Sequence, residues 1–341
     1  MKTKKFAAFI CVLAAFSSLC LGAAALTPAE LLEAVLGGTD TVAGRIFWFS
    51  RLPRTAGCLL AGAALSTAGC VIQNVLCNPL ASPNIIGVNA GAGLAVTFCG
   101  AMGLLSGWAL AGAAFAGAFL AVMAVSFAAK LAGASRTTVI LVGVAVNATL
   151  GAVSDTVTSL FPDAAMLGSD FRVGGFGAVV SARLIPAGAL ILLALTAVLL
   201  MSNELEVLSL GEDTAKSLGM NAARMRTVFL ALAAVLCGGA VSFAGLLGFV
   251  GLIVPHAVRR FAGSECRKLL PLCALWGATF VMVCDLASRL VFRPRELPVG
   301  ILLSALGGPF FLYILSKKGK AGKTLCIGEG RAGACDRRKS L

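Results

Sequence analysis

Apolar residues along this chain fall into ten runs, at about 6–26, 55–76, 85–105, 108–130, 137–160, 184–202, 227–246, 247–262, 269–290 and 298–316. Short segments that hold most of the charge separate them, except that the seventh and eighth runs abut. A helix needs about 20 apolar residues to cross a bilayer. The pattern therefore predicts an all-α polytopic membrane protein of about ten transmembrane helices, with both termini cytoplasmic. Residues 1–316 form one transmembrane domain in this reading, and 317–341 a basic, disordered cytoplasmic tail.

The longest charged internal stretch runs from Asn203 to Arg226. It reads as two short helices broken at a glycine. Ser209 and Glu212 have the spacing of a capping box, Glu212 and Asp213 suit a helix N-terminus, and Glu212 with Lys216 is a favourable i,i+4 pair. Gly219 is placed as the stop after the first helix, and Asn221 as the cap of a second that carries Arg224 and Arg226. A plain hydrophilic connector is the alternative.

Composition strengthens the membrane assignment. The chain is 59% hydrophobic and 13% charged with a mean hydropathy of +0.95, against about 25% charged residues in a soluble domain. The net charge of +13 is spread over the ends of apolar runs and the tail, as orientation by the positive-inside rule produces, and so points to lipid rather than nucleic acid. Twelve cysteines lie mostly inside apolar runs without a C-x-x-C pair, which indicates small buried hydrophobes and no metal site. Met1 to Ala25 resembles a signal peptide in its Lys-rich start, yet Phe6 to Leu26 is long enough to span, and the reading here is a retained first helix.

Polar residues near or within the runs are the candidates for chemistry. Arg51 and Arg54, three apart around a proline, share an outward direction at the outer surface, where they either snorkel to lipid phosphates or meet a partner. Gln73 lies near an inner end, followed by a sharp turn at Asn78, Pro79 and Pro83. In the fifth run Asn147, Gly151, Ser154 and Thr158 share one helical face, which either bonds a neighbouring helix or lines a polar path. Asp155 reads as interfacial rather than as a proton relay. Gly248 and Gly251 permit a tight bend, and Pro255 breaks the helix near the inner face. His256, the lone histidine, reads as structural. Asp285 and Arg289 are spaced to pair, and Pro298 and Gly300 open the last helix, with Pro309 as a further turn. Gly319 to Thr324 falls short of a phosphate loop, because Lys317 stands where the first glycine belongs.

Six stretches together resemble one family, the permease subunits of ABC importers for iron-siderophores, haem and cobalamin. They are Arg51-Leu-Pro-Arg54, Gly69 through Gln73, Asn78-Pro-Leu-Ala-Ser-Pro83, Leu210-Gly-Glu with Ala215 and Leu218-Gly219, Gly248 through His256 with Arg259, and Leu297-Pro-Val-Gly300 with Gly308-Pro-Phe-Phe311. They occur in the family's order from about residue 45 to 316. Cys77, Asn84, Phe171 and Leu246 depart from residues common in the family.

The resemblance implies a subunit of a bacterial plasma membrane importer that pairs with a second permease copy or a similar subunit. It implies two separate cytoplasmic ATPase subunits and an extracytoplasmic binding protein, with no cofactor on this chain because ATP is bound by the partner. Arg51, Arg54 and Arg289 would dock the binding protein. Glu212, Asp213, Ala215, Lys216, Leu218 and Gly219 would form the ATPase coupling element. The fifth and tenth helices would line the path, which places Gln73, Asn147, Gly151, Ser154 and Thr158 beside it. An ion-coupled secondary transporter of a small organic solute is the rival class, and the scarcity of carboxylates deep in the helices argues against it. An intramembrane enzyme would need a catalytic constellation that the single histidine does not supply.

Overall fold

A computed structural model describes residues 2–22, 27–133, 135–291 and 296–312. Arg293, Arg295 and the predicted tail lie outside the described residues. Each of the ten apolar runs contains a helix. These are α1 Lys2–Cys20, α4 Leu52–Val75, α5 Val88–Ala101, α6 Gly107–Leu131, α7 Arg136–Leu160, α9 Ser181–Leu200, α12 Ala222–Ala244, α13 Val250–Ala262, α14 Cys266–Leu290 and α15 Val299–Leu312. Seven are long and apolar enough to cross a membrane, and α5 and α15 are shorter apolar helices.

The segments between the runs add helices of their own. These are α2 Pro28–Leu36, α3 Val42–Ile46, α8 Pro162–Val173, α10 Ser202–Ser209 and α11 Glu212–Ser217, with a π turn at Phe47–Arg51 leading into α4. α2 begins in a complete capping box. The Glu30 amide donates to Thr27 Oγ1 at 3.3 Å, and the Thr27 amide donates to Glu30 Oε2 at 2.7 Å.

α4 is the axis of the bundle. Its side chains are buried almost continuously from Cys58 to Val75, against α12, α13 and α14. Because lipid tails are as apolar as leucine, burial cannot drive this packing, and close backbone approach between small residues takes its place. A Cβ at Gly62 would overlap the Gly277 backbone of α14, and one at Gly69 would overlap Gly251 of α13. Gly62→Leu is accordingly expected to cost about 1–3 kcal/mol. Thermal unfolding in detergent would show this, whereas Gly112→Leu, which meets open space, should unfold like the parent.

The structure revises the predicted turns around α13. Pro255 does not break the helix, which continues from Val250 to Ala262. Proline has no amide proton, so the carbonyl four residues earlier, on Gly251, loses its helical partner. Gln73 Nε2 of α4 donates to that carbonyl at 3.2 Å, and Gln73 Oε1 accepts from Arg259 about two turns further along α13. The bend before α13 rests on Gly245 and on Phe249, whose φ is +63°, rather than on Gly248 and Gly251. Phe249 holds this left-handed conformation with its ring laid over Gly307 of α15, where a Cβ would collide. Pro309 likewise sits within α15 instead of forming a turn.

Other turns follow the sequence reading. Asn78 Oδ1 accepts from the Leu80 amide at 3.0 Å, the local bond that makes asparagine a turn former. Gly300 starts α15 with its amide donating to the Gly174 carbonyl at 3.3 Å. His256 packs edge-on against Phe310, with ring centroids 6.1 Å apart.

Candidate functional site

One end of the bundle gathers charge contributed by four separate parts of the chain. Arg51 ends the π turn, Arg54 lies in the first turn of α4, Asp285 and Arg289 sit one turn apart on α14, and Glu296 precedes α15. Asp285 has no accessible surface, while Arg51 and Arg289 are 5% and 4% exposed. Arg54 grips Asp285 through Nε and Nη2, at 3.1 and 3.0 Å, and reaches Glu296 with Nη1 at 2.6 Å. Arg289 Nε lies 3.0 Å from Asp285 Oδ2, the oxygen that also accepts from Arg54 Nε.

The end of α1 supplies the remaining acceptors. Arg51 donates to the Leu19 carbonyl at 2.6 Å, and Arg289 donates to the Leu21 carbonyl at 3.2 Å and to Ser18 Oγ at 2.8 Å. The last carbonyls of a helix have no intrahelical donors and carry partial negative charge, so a helix C-terminus suits arginine. The predicted pairing of Asp285 with Arg289 is present. The outward direction predicted for Arg51 and Arg54 is not: Arg51 is buried, Arg54 is turned onto Asp285 and Glu296, and Arg289, the third expected docking residue, is buried as well. The groups that hold them come from α1, α14 and the segment before α15, far from residues 51 and 54 in sequence. No spacing rule could have found Ser18 or Glu296.

At the other end of the bundle lies the segment predicted to couple. Ser209 does not cap a helix; its hydroxyl donates to the Glu206 carbonyl at 2.7 Å. α11 instead starts directly after Gly211, whose φ of +126° makes the break between α10 and α11. Gly219 follows α11 at φ +80°, as the stop-signal reading requires, and Asn221 accepts from the Arg224 amide at 3.0 Å. The helix it caps is α12 itself rather than a second short one.

Glu212 joins α11 to α12, with Lys216 at 3.1 Å and the buried Arg226 at 2.9 Å. The hydrogen bond from Arg226, and then that from Lys216, hold its carboxyl below the usual glutamate range. A depressed carboxylate pKa stabilises the fold above the ordinary value and loses that effect as pH falls through the depressed one. The brace is therefore constant through neutral pH. Ala215 faces the core with no exposure, so it anchors the helix and does not present itself to a partner. Leu210 and Leu218 are the large apolar side chains turned outward, at 63% and 64% exposed.

Three other elements are tied to this segment. The Cys77 thiol donates to the Ser209 carbonyl at 3.2 Å, Arg136 at the start of α7 donates to the Leu208 carbonyl at 3.2 Å, and the first amide of α14, on Cys266, donates to Glu206 at 2.6 Å.

Of the two readings left open for the polar stripe of α7, bonding to neighbouring elements is present. Asn147 donates to the carbonyls of Asn84 and Ile85 at 2.7 and 3.3 Å. Ser154 is buried 3.4 Å from Thr97 of α5, with Arg172 donating to it at 3.1 Å, and Thr158 bonds the Ser154 carbonyl. Asn147, Ser154 and Thr158 are thus bonded within the protein, while Gly151 is half-buried with open space beside it. Gln73 is likewise buried between α4 and α13. Asp155 pairs with Arg172 at 3.6 Å where both are well exposed, in keeping with an interfacial residue. The opposite face of α7 carries Ala145, Thr149, Ala152, Thr156 and Ser159, all exposed. Each of the three hydroxyls donates to the carbonyl one turn back on its own helix, at 2.8–3.0 Å, so none of them requires a neighbour for satisfaction.

The all-helical architecture and its spanning helices define a multi-pass membrane protein. Residues 10–317 match the family model described as the FecCD transport family, and the chain belongs to that family. It is 34% identical over 309 residues to the hemin transport system permease protein HmuU of Yersinia pestis, covering 88% of this chain and 92% of that protein. It is 36% identical over 320 residues to the vitamin B12 import system permease protein BtuC of Shigella sonnei, covering 91% and 93%. A solved ABC transporter in an inward-facing conformation superposes with a TM-score of 0.83 at 27% identity, covering 93% of this chain and 99% of that one.

Proposed function

We propose that this chain is the permease subunit of a binding-protein-dependent ABC importer in the bacterial plasma membrane, carrying an iron chelate, haem or cobalamin. The observation that carries the reading is the equipment of the two bundle ends. One end concentrates guanidinium groups, and the rim branch of the Arg54 fork, held by the partly exposed Glu296, is the one that suits a carboxylate on a docking protein. The other presents a braced helical segment with two exposed leucines, bonded to the starts of α7 and α14. That is the construction expected of an ATPase contact, since a push on α11 reaches spanning helices without passing through a flexible loop. The relatives, named for hemin and vitamin B12, support the cargo class.

In this reading a second permease copy or similar subunit faces the exposed hydroxyl side of α7, two cytoplasmic ATPase subunits seat on α10 and α11, and the binding protein docks at the arginine end. ATP is bound and hydrolysed by those partners. The chain itself performs no covalent step and needs no resident cofactor.

The test begins with purified binding proteins for haem, cobalamin and hydroxamate siderophores, presented to the permease in nanodiscs. The one retained then enters an uptake assay in proteoliposomes that contain the ATPase subunits. ATP-dependent accumulation of its cargo is the expected result. Uptake that follows an imposed ion gradient without ATP would overturn the proposal in favour of an ion-coupled transporter.

A further inference from the structure

Among the described residues the arginine end holds three guanidiniums, Arg51, Arg54 and Arg289, against the carboxylates of Asp285 and Glu296, and these two carboxylates are unlike. Asp285 is fully buried and shared between Arg54 and Arg289. Glu296 stands at the rim, 37% exposed, on one branch of the Arg54 fork. A cavity of about 210 Å³ lies on one side of that contact, walled by Arg51 and Arg289 among others. A second, of about 430 Å³, lies on the other side beside Asp170 and residues 173–178. Arg54 and Glu296 are the two residues common to both walls. Their ion pair is the partition between the cavities.

Resting on the docking reading above, we infer that Glu296 is an internal occupant of the seat that a carboxylate of the binding protein takes on Arg54. Partly exposed ion pairs contribute little to stability, so exchanging one carboxylate for another on this branch costs little. The Asp285 branch is not exchanged, because removing a buried partner is far more costly, and it keeps the fork aimed. Displacement of Glu296 opens the smaller cavity to the docked side chain. It also frees the short segment before α15, where the Leu297 amide donates to the Ser288 carbonyl at 3.4 Å. Docking on the surface is thereby felt at the start of α15.

The experiment uses the full-length permease in nanodiscs, with the binding protein retained from the panel above as the probe, and follows binding by biolayer interferometry. Glu296→Gln keeps the size of the side chain and removes its charge. It is expected to tighten binding by about three- to fivefold, and the gain should vanish in an Arg54→Gln background. Unchanged or weaker binding by E296Q, or a gain that persists without Arg54, would overturn the inference. R54Q alone separates the two ideas: loss of binding with no effect of E296Q sinks this inference and leaves the docking reading, whereas full binding by R54Q sinks both. Should R54Q fail to fold, Arg54→Lys takes its place, since it keeps charge against Asp285 and loses one branch of the fork.

Discussion

Asp285→Ala is expected to cost about 3–5 kcal/mol of stability, the range found when one partner of a buried ion pair is removed. Arg289 and the inner branch of Arg54 would be left inside the protein without their carboxylate, while the α1 carbonyls and Glu296 would still hold the outer nitrogens. The measurement is thermal unfolding of the detergent-solubilised protein, with expression level as a second readout. Pairing the change with Arg289→Leu should recover part of the loss, because an uncompensated buried charge is then removed. Similar unfolding of the single and double variants would show that packing around Asp285, and not charge, sets the cost. The same geometry explains why charge reversal at Arg51 or Arg54 is a poor test of docking. Glutamate at either position would also disturb the α1 or α14 contacts and unfold the site it was meant to probe.

Leu218→Glu is the second large effect. Leu218 is turned out to solvent beyond the braced end of α11, so the substitution should leave thermal unfolding of the permease unchanged. In the proposed assembly it places a charge in an apolar contact. A buried hot spot of this kind contributes about 2 kcal/mol or more, which corresponds to a loss of about thirtyfold in ATPase affinity. Substrate-stimulated ATP hydrolysis in proteoliposomes should fall accordingly. Normal stimulation and normal retention of the ATPase would remove α11 from the contact.

The apolar pattern was legible because a helix in hydrocarbon must satisfy every backbone group internally, so its length is written in the run of apolar residues. Local signals were also legible where they depend on neighbours in sequence. Asn221 as a cap, Gly219 at positive φ and the Asp285–Arg289 pair are examples. Thr27 with Glu30 carried the same kind of signal, a complete capping box, and the short helix α2 could have been read from it.

What escaped depends on distant partners. Arg54 and Asp285 are 231 positions apart, and nothing in either neighbourhood names the other. The face of α7 admits two readings in the sequence for a different reason. In a membrane helix both the packed side and a side turned toward a partner favour small and hydroxyl residues. The stripe of Asn147, Ser154 and Thr158 and the stripe of Thr149, Thr156 and Ser159 therefore look alike until neighbours are placed. Proline was read by its usual effect on a lone helix, whereas in α13 a glutamine from α4 replaces the missing bond.

That replacement constrains how the bundle can move. A backbone carbonyl of α13 held by a side chain of α4, with a backbone contact at Gly69 and a guanidinium closing the other end of the same amide, indexes the two helices like a keyed shaft. Neither can slide or rotate by a fraction of a turn without leaving a polar group unmatched in a dry interior. Any alternation of access must carry α4 and α13 as one rigid piece and take up its angular change at the joint before α13, at Gly245 to Phe249.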